Sequence, residues 1–425
     1  MNTMRYKMIL IFLVYSLIPG LEGITQTNTY SLEDLKSKAL EQNKKLQKAQ
    51  KQVEAAKAAL AAAKTGGKPS IDGGATGIYL SGPLNTLLPE FQASVNASAS
   101  QVIYAGGKVQ TAKKLAASAV DLQVAQKALT EDEVLISVES AYWNIINLEE
   151  KQVLAKKYMD LLSALHKNLK NSFDAGLTYK NDLLKVDVKR NEAELNLTKV
   201  QDGLLMAKLN LAQLTGLEEG AFVIQADTVM NYLVVAQADT SFVFSRPEIA
   251  LLSKSVEIQS LQTKMLQADQ KPTVALSGYG VSVFGKQINF KNGNSTMPFA
   301  AGLLSVNVPI FDWGKRKQKI KEQQLNTEAQ KYELEEAKEL VRLEVKNAWL
   351  QLNQSIKKIG LSERSLQQAE ENLRLNQDRF IAGTVLGEDV LEAQVLWQEA
   401  YANLIDAKAE YKINEAKYRK ATGSY

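Results

Sequence analysis

The sequence predicts a mainly α-helical chain with a β-barrel portion, built as two tandem repeats that each hold one β-hairpin and one very long coiled helical hairpin. Three observations predict it. Residue patterns recur 207 positions apart: Ile103-Tyr104-Ala105-Gly106-Gly107-Lys108 returns as Ile310-Phe311-Asp312-Trp313-Gly314-Lys315. Apolar residues recur every seven positions within long stretches that contain no proline. Between those stretches, short segments alternate apolar and polar residues, the mark of strands with two unlike faces.

Composition narrows the class. The 425 residues suffice for two or three ordinary domains. Lys and Arg number 51 against 47 Asp and Glu, a formal net charge of +4 that is too balanced to argue for a nucleic-acid partner. Cysteine is absent, which excludes disulfides, thiolate metal sites, thiol catalysis and a lipid-modified N-terminal cysteine. Residues 1–23 read as a secretory signal peptide: Arg5 and Lys7 supply the positive start, Met8 to Ile18 the apolar core, and Pro19, Gly20 and Gly23 the end. Those eleven apolar positions are too few to span a bilayer as a helix, and no later stretch approaches a transmembrane helix. A mature chain that enters a membrane must therefore cross it as strands.

The first repeat, residues 24–216, reads as an N-terminal helix, a β-hairpin over about 69–104 and a long helical hairpin over about 107–216. Residues 217–245 form an inter-repeat linker, expected to add a short equatorial belt. The second repeat, residues 246–425, repeats the order with a hairpin over about 272–311 and a long helical hairpin over about 314–423. Upstream of the hairpins the offset shortens to 203, pairing Leu46 with Ile249 and Lys68-Pro69 with Lys271-Pro272, so the difference falls in a loop. Leu115, Leu122, Leu129, Ile136 and Trp143 carry the seven-residue period in the first repeat; Leu334, Val341 and Ala348, then Leu366, Leu373 and Phe380, carry it in the second. That period selects left-handed supercoiled packing. No proline interrupts Lys108 to Phe173 or Lys315 to Phe380, so each stretch would run roughly 100 Å as a helix. Gly176 and Gly383 suit left-handed C-caps at the ends, and Asp182 and Asp389 then start the returning helices.

Phe91 to Ser100 sets Phe91, Ala93, Val95, Ala97 and Ala99 on one face and Gln92, Ser94, Asn96, Ser98 and Ser100 on the other, as a membrane barrel strand would. Ala300, Gly302, Leu304, Val306, Val308 and Ile310 form one face of a later strand. Partner strands are expected near Ser70 to Leu80 and Thr273 to Phe284, with Gly82-Pro83 and Gly293-Asn294 in the connecting loops. Four strands fall short of the roughly eight that close a barrel, and lipid does not tolerate an open edge. Either the strands stay out of the membrane or several copies pool them.

The combination resembles the TolC-type outer-membrane efflux protein family. Val308-Pro309-Ile310-Phe311-Asp312-Trp313-Gly314-Lys315 is similar to that family's strand-to-helix junction. Lys44-Lys45-Leu46 and Arg246-Pro247-Glu248-Ile249 resemble its paired helix segments, the first in degraded form. Phe173, Ala175, Gly176 and Asp182, and again Phe380, Ala382, Gly383 and Asp389, resemble its paired helical turns. The resemblance runs from about Tyr30 to Gly423. It implies a homotrimer whose protomers share one 12-stranded outer-membrane β-barrel, continued by a periplasmic α-barrel. It also implies a periplasmic adaptor (membrane fusion) protein and an inner-membrane transporter as partners, outer-membrane lipid around the strands, and passive transport with no cofactor.

Asp182, Asp389 and Glu392 are the gate candidates, since a carboxylate ring at a pore mouth favours cations. The plainer reading makes the two aspartates helix N-caps, worth about 1 kcal/mol each, and Glu392 a solvated residue. Phe380 and Val385 stand where the resemblance implies a Tyr and an Arg that clamp the closed state, so that polar clamp is not carried over; Arg379 is a neighbouring substitute. Gly106 and Gly107 allow a tight bend from strand to helix, and Pro309, Phe311, Trp313 and Gly314 form the corresponding junction, with Trp313 an interfacial anchor. Lys315, Arg316, Lys317, Lys319 and Lys321 follow it as a basic run, read first as solvated, snorkelling side chains and second as a lipid contact.

Enzyme motifs are lacking. His166, the sole histidine, reads as a surface position without triad or metal partners. Gly66-Gly67-Lys68 lacks the spacing of a phosphate loop, and Gly278-Tyr279-Gly280 lacks a third glycine. The alternative function is a periplasmic coiled-coil adaptor or scaffold, which would share the long hairpins but would not need two alternating strand pairs.

Overall fold

Helix dominates because the long segments are rich in Ala, Leu, Lys, Gln and Glu and free of proline, so the backbone ladder runs unbroken. The computed structural model describes residues 28–219, 222–225, 232–238, 241 and 246–423; the expected signal peptide and parts of the 217–245 linker lie outside the described residues. In chain order the elements are β1 (Asn28–Tyr30), α1 (Leu32–Gln42), α2 (Lys44–Thr65), β2 (Ser70–Tyr79), β3 (Phe91–Ala105), α3 (Lys108–Asp174), α4 (Lys180–Thr215), β4 (Phe222–Ile224), α5 (Pro247–Ala268), β5 (Thr273–Gly285), β6 (Thr296–Asn307), α6 (Lys315–Ile381) and α7 (Gly387–Ala421). Helices α3 and α6 each have 67 residues, about 100 Å of rise. None of the described helices is long and apolar enough to cross a membrane.

The chain divides into two compact units. One holds the N-terminal segment through Asn43 with Val134–Val234 and Gln351–Lys417. Its core joins Leu154, Tyr158, Leu162, Leu165 and Leu169 of α3 to Val186 and Ala193 of α4, Leu373 of α6, and Val390, Leu391, Trp397 and Ile405 of α7. The α3 residues step by three and four, the spacing that keeps one stripe against neighbouring helices. Burial pushes the Tyr158 phenol up to about 12, with the Glu192 and Glu399 charges adding to it. Strands β1 and β4 pair in parallel beside this bundle, and the buried Glu139 takes the Lys36 ammonium at 2.8 Å.

The other unit holds Lys44–Glu133, Val235–Leu350 and Tyr418–Tyr425. It contains the antiparallel sheet, ordered β2-β3-β5-β6. The register pairs Ser70 with Ser100 and Tyr79 with Phe91, Gln92 with Gly285, and Thr273 with Asn307. Opposed residues share a face. One face therefore carries Ile71, Ala75, Tyr79, Phe91, Ala93, Val95, Ala97, Ala99, Leu276, Phe284, Ala300, Gly302, Leu304 and Val306. The opposite face carries Asp72, Thr76, Gln92, Ser94, Asn96, Ser98 and Ser100 from β2 and β3, and Tyr279, Val281, Phe299 and Leu303 from β5 and β6. Among the described residues, β2 and β6 each leave one edge unpaired.

Three elements depart from the sequence reading. The N-terminal helix is broken at Asn43, which leaves the helical region with ψ 127°. Strand β3 runs on to Ala105 through a register shift between Val102 and Tyr104. Strand β6 ends at Asn307, so Val308 and Ile310 fall outside it; Pro309 has no N–H to continue a ladder.

The break at Asn43 has a cause that recurs at Arg246. The residue preceding α2 and the residue preceding α5 are both buried, and each caps the end of a returning helix. Asn43 Nδ2 donates to Leu214 O at 2.8 Å. Arg246 Nη1 donates to Ala421 O at 2.8 Å and Lys420 O at 3.1 Å. Carbonyls at a helix C-terminus lack intrahelical partners and carry the negative end of the dipole, so both contacts satisfy orphan groups. Arg246, 1% exposed, also holds Glu248 through Nε at 3.0 Å and Nη2 at 2.7 Å, and reaches Glu344 at 3.2 Å. Burial alone would raise the Glu248 carboxyl, but the Arg246 hydrogen bonds outweigh it and hold it below the ordinary glutamate value. Burial and the nearby Glu248 push Asp132 up.

Arg246→Met should lower stability by about 3–5 kcal/mol, because it strands Glu248 and two carbonyls. Asn43→Ala should cost less, about 1 kcal/mol for loss of the neutral hydrogen bond to Leu214 O. Thermal midpoints of the purified chain measure both. Because the folded Glu248 pKa is depressed, its stabilisation is complete above the ordinary glutamate value of 4.5 and is lost as pH falls through the lower folded value. The stability gap between the parent chain and Glu248→Gln should stay constant above that value and shrink below it.

Candidate functional site

The α3–α4 and α6–α7 turns are built alike. Gly176 has φ +74° and Gly383 φ +73°, conformations that a side chain resists. In the first turn Gly176 N bonds to Phe173 O at 2.9 Å and Leu177 N to Ser172 O at 2.8 Å. In the second, Gly383 N bonds to Phe380 O at 3.0 Å and Thr384 N to Arg379 O at 2.9 Å. These paired bonds are the Schellman closure of a helix C-terminus. Phe380 packs partly buried against the core of its unit, whereas Phe173 is exposed. Leu177, Tyr179, Ile381 and Leu386 also stand exposed at the turns.

Asp182 and Asp389 are not N-caps. Helix α4 starts at Lys180 with Tyr179 as its N-cap, and α7 starts at Gly387, so each aspartate occupies the third helical position. There the carboxylate reaches back toward the preceding turn. Asp182 Oδ2 accepts from Thr178 Oγ1 at 2.6 Å. In the second turn Val385 stands where Thr178 stands in the first and offers no hydroxyl; Asp389 Oδ2 instead accepts from Leu386 N at 2.8 Å. Glu392 is exposed, one turn further along α7.

A pair that the sequence reading missed spans the two turns: Lys185 Nζ lies 2.8 Å from Glu388 Oε2. The two residues are 203 positions apart, and nothing local in either segment marks the partnership. Near it Gly387 packs so closely on Leu169 that a Cβ there would lie 2.6 Å from Leu169 Cδ2. His166 is not a free surface side chain; its Nε2 sits 3.2 Å from Asp187 Oδ1 between α3 and α4. No cluster of His, Asp and Glu suited to a metal occurs among the described residues.

The strand-to-helix junctions form the second predicted group. Gly106 and Gly107 have φ +62° and +91°; a Cβ on Gly106 would meet Lys271 Cβ at 2.7 Å and Ala268 O at 2.8 Å, so only glycine fits. The second junction has Trp313 at φ +55° and Gly314 at φ +82°, with Phe311 stacked edge-on against Trp313 at 5.0 Å. Lys108 pairs with Asp269 at 2.7 Å beside the first junction.

Together these features describe a chain of very long helices with a partial sheet, apolar on one face. The profile of a family described as outer membrane efflux protein matches residues 35–217 and 244–424. The outer membrane protein TolC of Escherichia coli (strain K12) is 27% identical over 121 residues, 28% of this chain and 24% of TolC, so that match spans about a quarter of the relative's length. The crystal structure of CusC superposes with a TM-score of 0.80 at 17% identity, covering 97% of this chain and 96% of that one. The outer membrane protein VceC of Vibrio cholerae gives 0.76 at 18% identity, covering 92% and 96%. The open-state MtrE outer membrane channel of Neisseria gonorrhoeae gives 0.75 at 19% identity, covering 92% and 88%. At such identities the structural likeness speaks to fold alone, but the two profile matches take in most of the chain, which therefore belongs to the outer membrane efflux protein family, a family of TolC-type channels and not of enzymes.

Proposed function

We propose that this chain is the exit duct of a tripartite efflux or type I secretion system. Three copies pool their four strands into one 12-stranded outer-membrane barrel, and their helices continue it as a periplasmic α-barrel. One observation carries the reading: the four-stranded sheet leaves β2 and β6 each with an unpaired edge and presents one apolar face. Lipid penalises unpaired backbone groups by several kcal/mol each, so such a sheet enters a membrane only closed on copies of itself. The strands have 10 to 15 residues, enough to cross the hydrocarbon at a barrel tilt. The polar residues of β2 and β3 then face a water-filled bore, and the duct conducts passively while an inner-membrane transporter, reached through a periplasmic adaptor, supplies the energy.

The gate lies at the two helical turns. Asp182, Asp389 and Glu392 line its mouth, and their charge favours cations. Closure needs no Tyr or Arg at positions 380 and 385, because the Lys185–Glu388 pair fastens one helical turn to the other. Opening separates the turns and breaks that pair. An exposed pair contributes little to global stability, so its loss changes gating and leaves folding intact.

Detergent extraction from outer membranes should yield a particle of three chains that conducts in planar bilayers; a stable monomer soluble in plain buffer contradicts the proposal. Lys185→Ala and Glu388→Ala should each raise the open fraction several-fold with unchanged thermal midpoints, and the double variant should add little to either. The triple variant Asp182→Ala, Asp389→Ala, Glu392→Ala should lose cation preference in reversal-potential measurements. Unaltered selectivity removes these carboxylates from the mouth.

A further inference from the structure

The segment between β6 and α6 exposes large apolar side chains, of which Phe311 and Trp313 touch each other. Val308 is 51% exposed, Ile310 91%, Phe311 70% and Trp313 91%. Trp313 also adopts a left-handed backbone that bulky residues avoid, and it does so where the first junction has Gly106. Burial does not compensate this conformation, because the ring points into open surroundings. The basic run follows directly. Lys315, Lys317, Lys319 and Lys321 make no ion pair among the described residues; Arg316 alone is paired, with Asp312 at 3.5 Å. Lys315 and Lys319 follow one side of α6, and Lys317 and Lys321 another. Cations in the first turn of a helix oppose its dipole, so their placement is unfavourable in water. The first junction also exposes apolar side chains, Val102, Ile103 and Tyr104, but differs beyond them: Gly106 and Gly107 bear no side chains, and Lys108, the one cation in the first turn of α3, is neutralised by Asp269.

We infer that residues 308–321 form a headgroup site for an anionic phospholipid, a site present once per chain. The apolar face of β6, ending in Leu304 and Val306, continues into the exposed Val308, Ile310, Phe311 and Trp313. These enter the boundary between acyl chains and headgroups, where aromatic rings settle. The four unpaired lysines just beyond meet the lipid phosphate and its net negative charge. A free phosphate would account for the cations alone; only a lipid accounts for the apolar residues set directly before them. The inference rests on the sheet being membrane-embedded, as proposed above.

Native mass spectrometry of the detergent-solubilised full chain, titrated with phosphatidylglycerol or phosphatidylcholine, tests it. The parent chain should retain phosphatidylglycerol about fivefold more than phosphatidylcholine. The variant Lys315→Gln, Lys317→Gln, Lys319→Gln, Lys321→Gln should lose that preference while its conductance persists. Trp313→Gly, which keeps the backbone conformation, should lower retention of both lipids. Equal retention of the two lipids by the parent chain overturns the inference, as does a preference that survives in the Gln variant or displacement of lipid by inorganic phosphate. A chain that conducts but shows no lipid preference defeats this site and leaves the channel reading standing; a chain that does not conduct defeats the channel reading first.

Discussion

Backbone hydrogen bonding at the sheet edges governs the rest of this structure. Strands β2 and β6 each expose a row of N–H and C=O groups that no strand among the described residues pairs with. In water such an edge is a liability; in hydrocarbon it is prohibitive. Closure through copies of the same chain removes both edges, and the proposed channel follows from that closure. In the proposed channel the sheet curves around a bore, with the face of small residues, Ala93, Ala97, Ala99, Ala300 and Gly302, outward and the polar face of β2 and β3 inward.

The helical part is held by buried polar contacts at its ends as well as by its apolar stripes. Asn43 and Arg246 occupy matching places, each inserted beneath the last carbonyls of a returning helix. The two caps differ in strength, because a guanidinium with a bidentate carboxylate binds more tightly than a neutral amide. At the opposite ends of the long helices, both turns close by the same Schellman bonds, yet their aspartates take different donors because Thr178 is replaced by Val385. The two halves of the chain thus keep a common frame and diverge in the polar detail.

Long-range order in the sequence made the frame legible. Proline-free heptad stretches beginning at Lys108 and Lys315 correspond to α3 and α6, and the clean alternation from Phe91 corresponds to β3, because periodicity records which face is buried. Glycines 176 and 383 marked the turns for a local steric reason. The rest depended on contacts between distant segments. Nothing around Asn43 announces a helix break, since its cause is the carbonyl of Leu214. Lys185 and Glu388 look like ordinary charges in first helical turns, and only folding brings them together. The plainer reading puts the two aspartates at the N-cap, whereas they occupy the third helical position, because the two kinds of carboxylate look alike before helix boundaries are known. Trp313 gave no warning of its left-handed backbone, which the glycine at the equivalent position of the first repeat alone could have suggested.

The proposed channel needs no reactive side chain; the sequence holds one histidine and no cysteine. The absence of cysteine also gives a clean background for the most direct test of edge-to-edge closure. Single cysteines walked along β2 from Asp72 to Thr76, each combined with one at Ala301 on β6, would be oxidised in intact outer membranes and resolved on denaturing gels. Closure of one barrel by three chains predicts that one register produces crosslinked dimers and trimers, and nothing larger. Crosslinks confined within single chains, or ladders that extend beyond three, would contradict it.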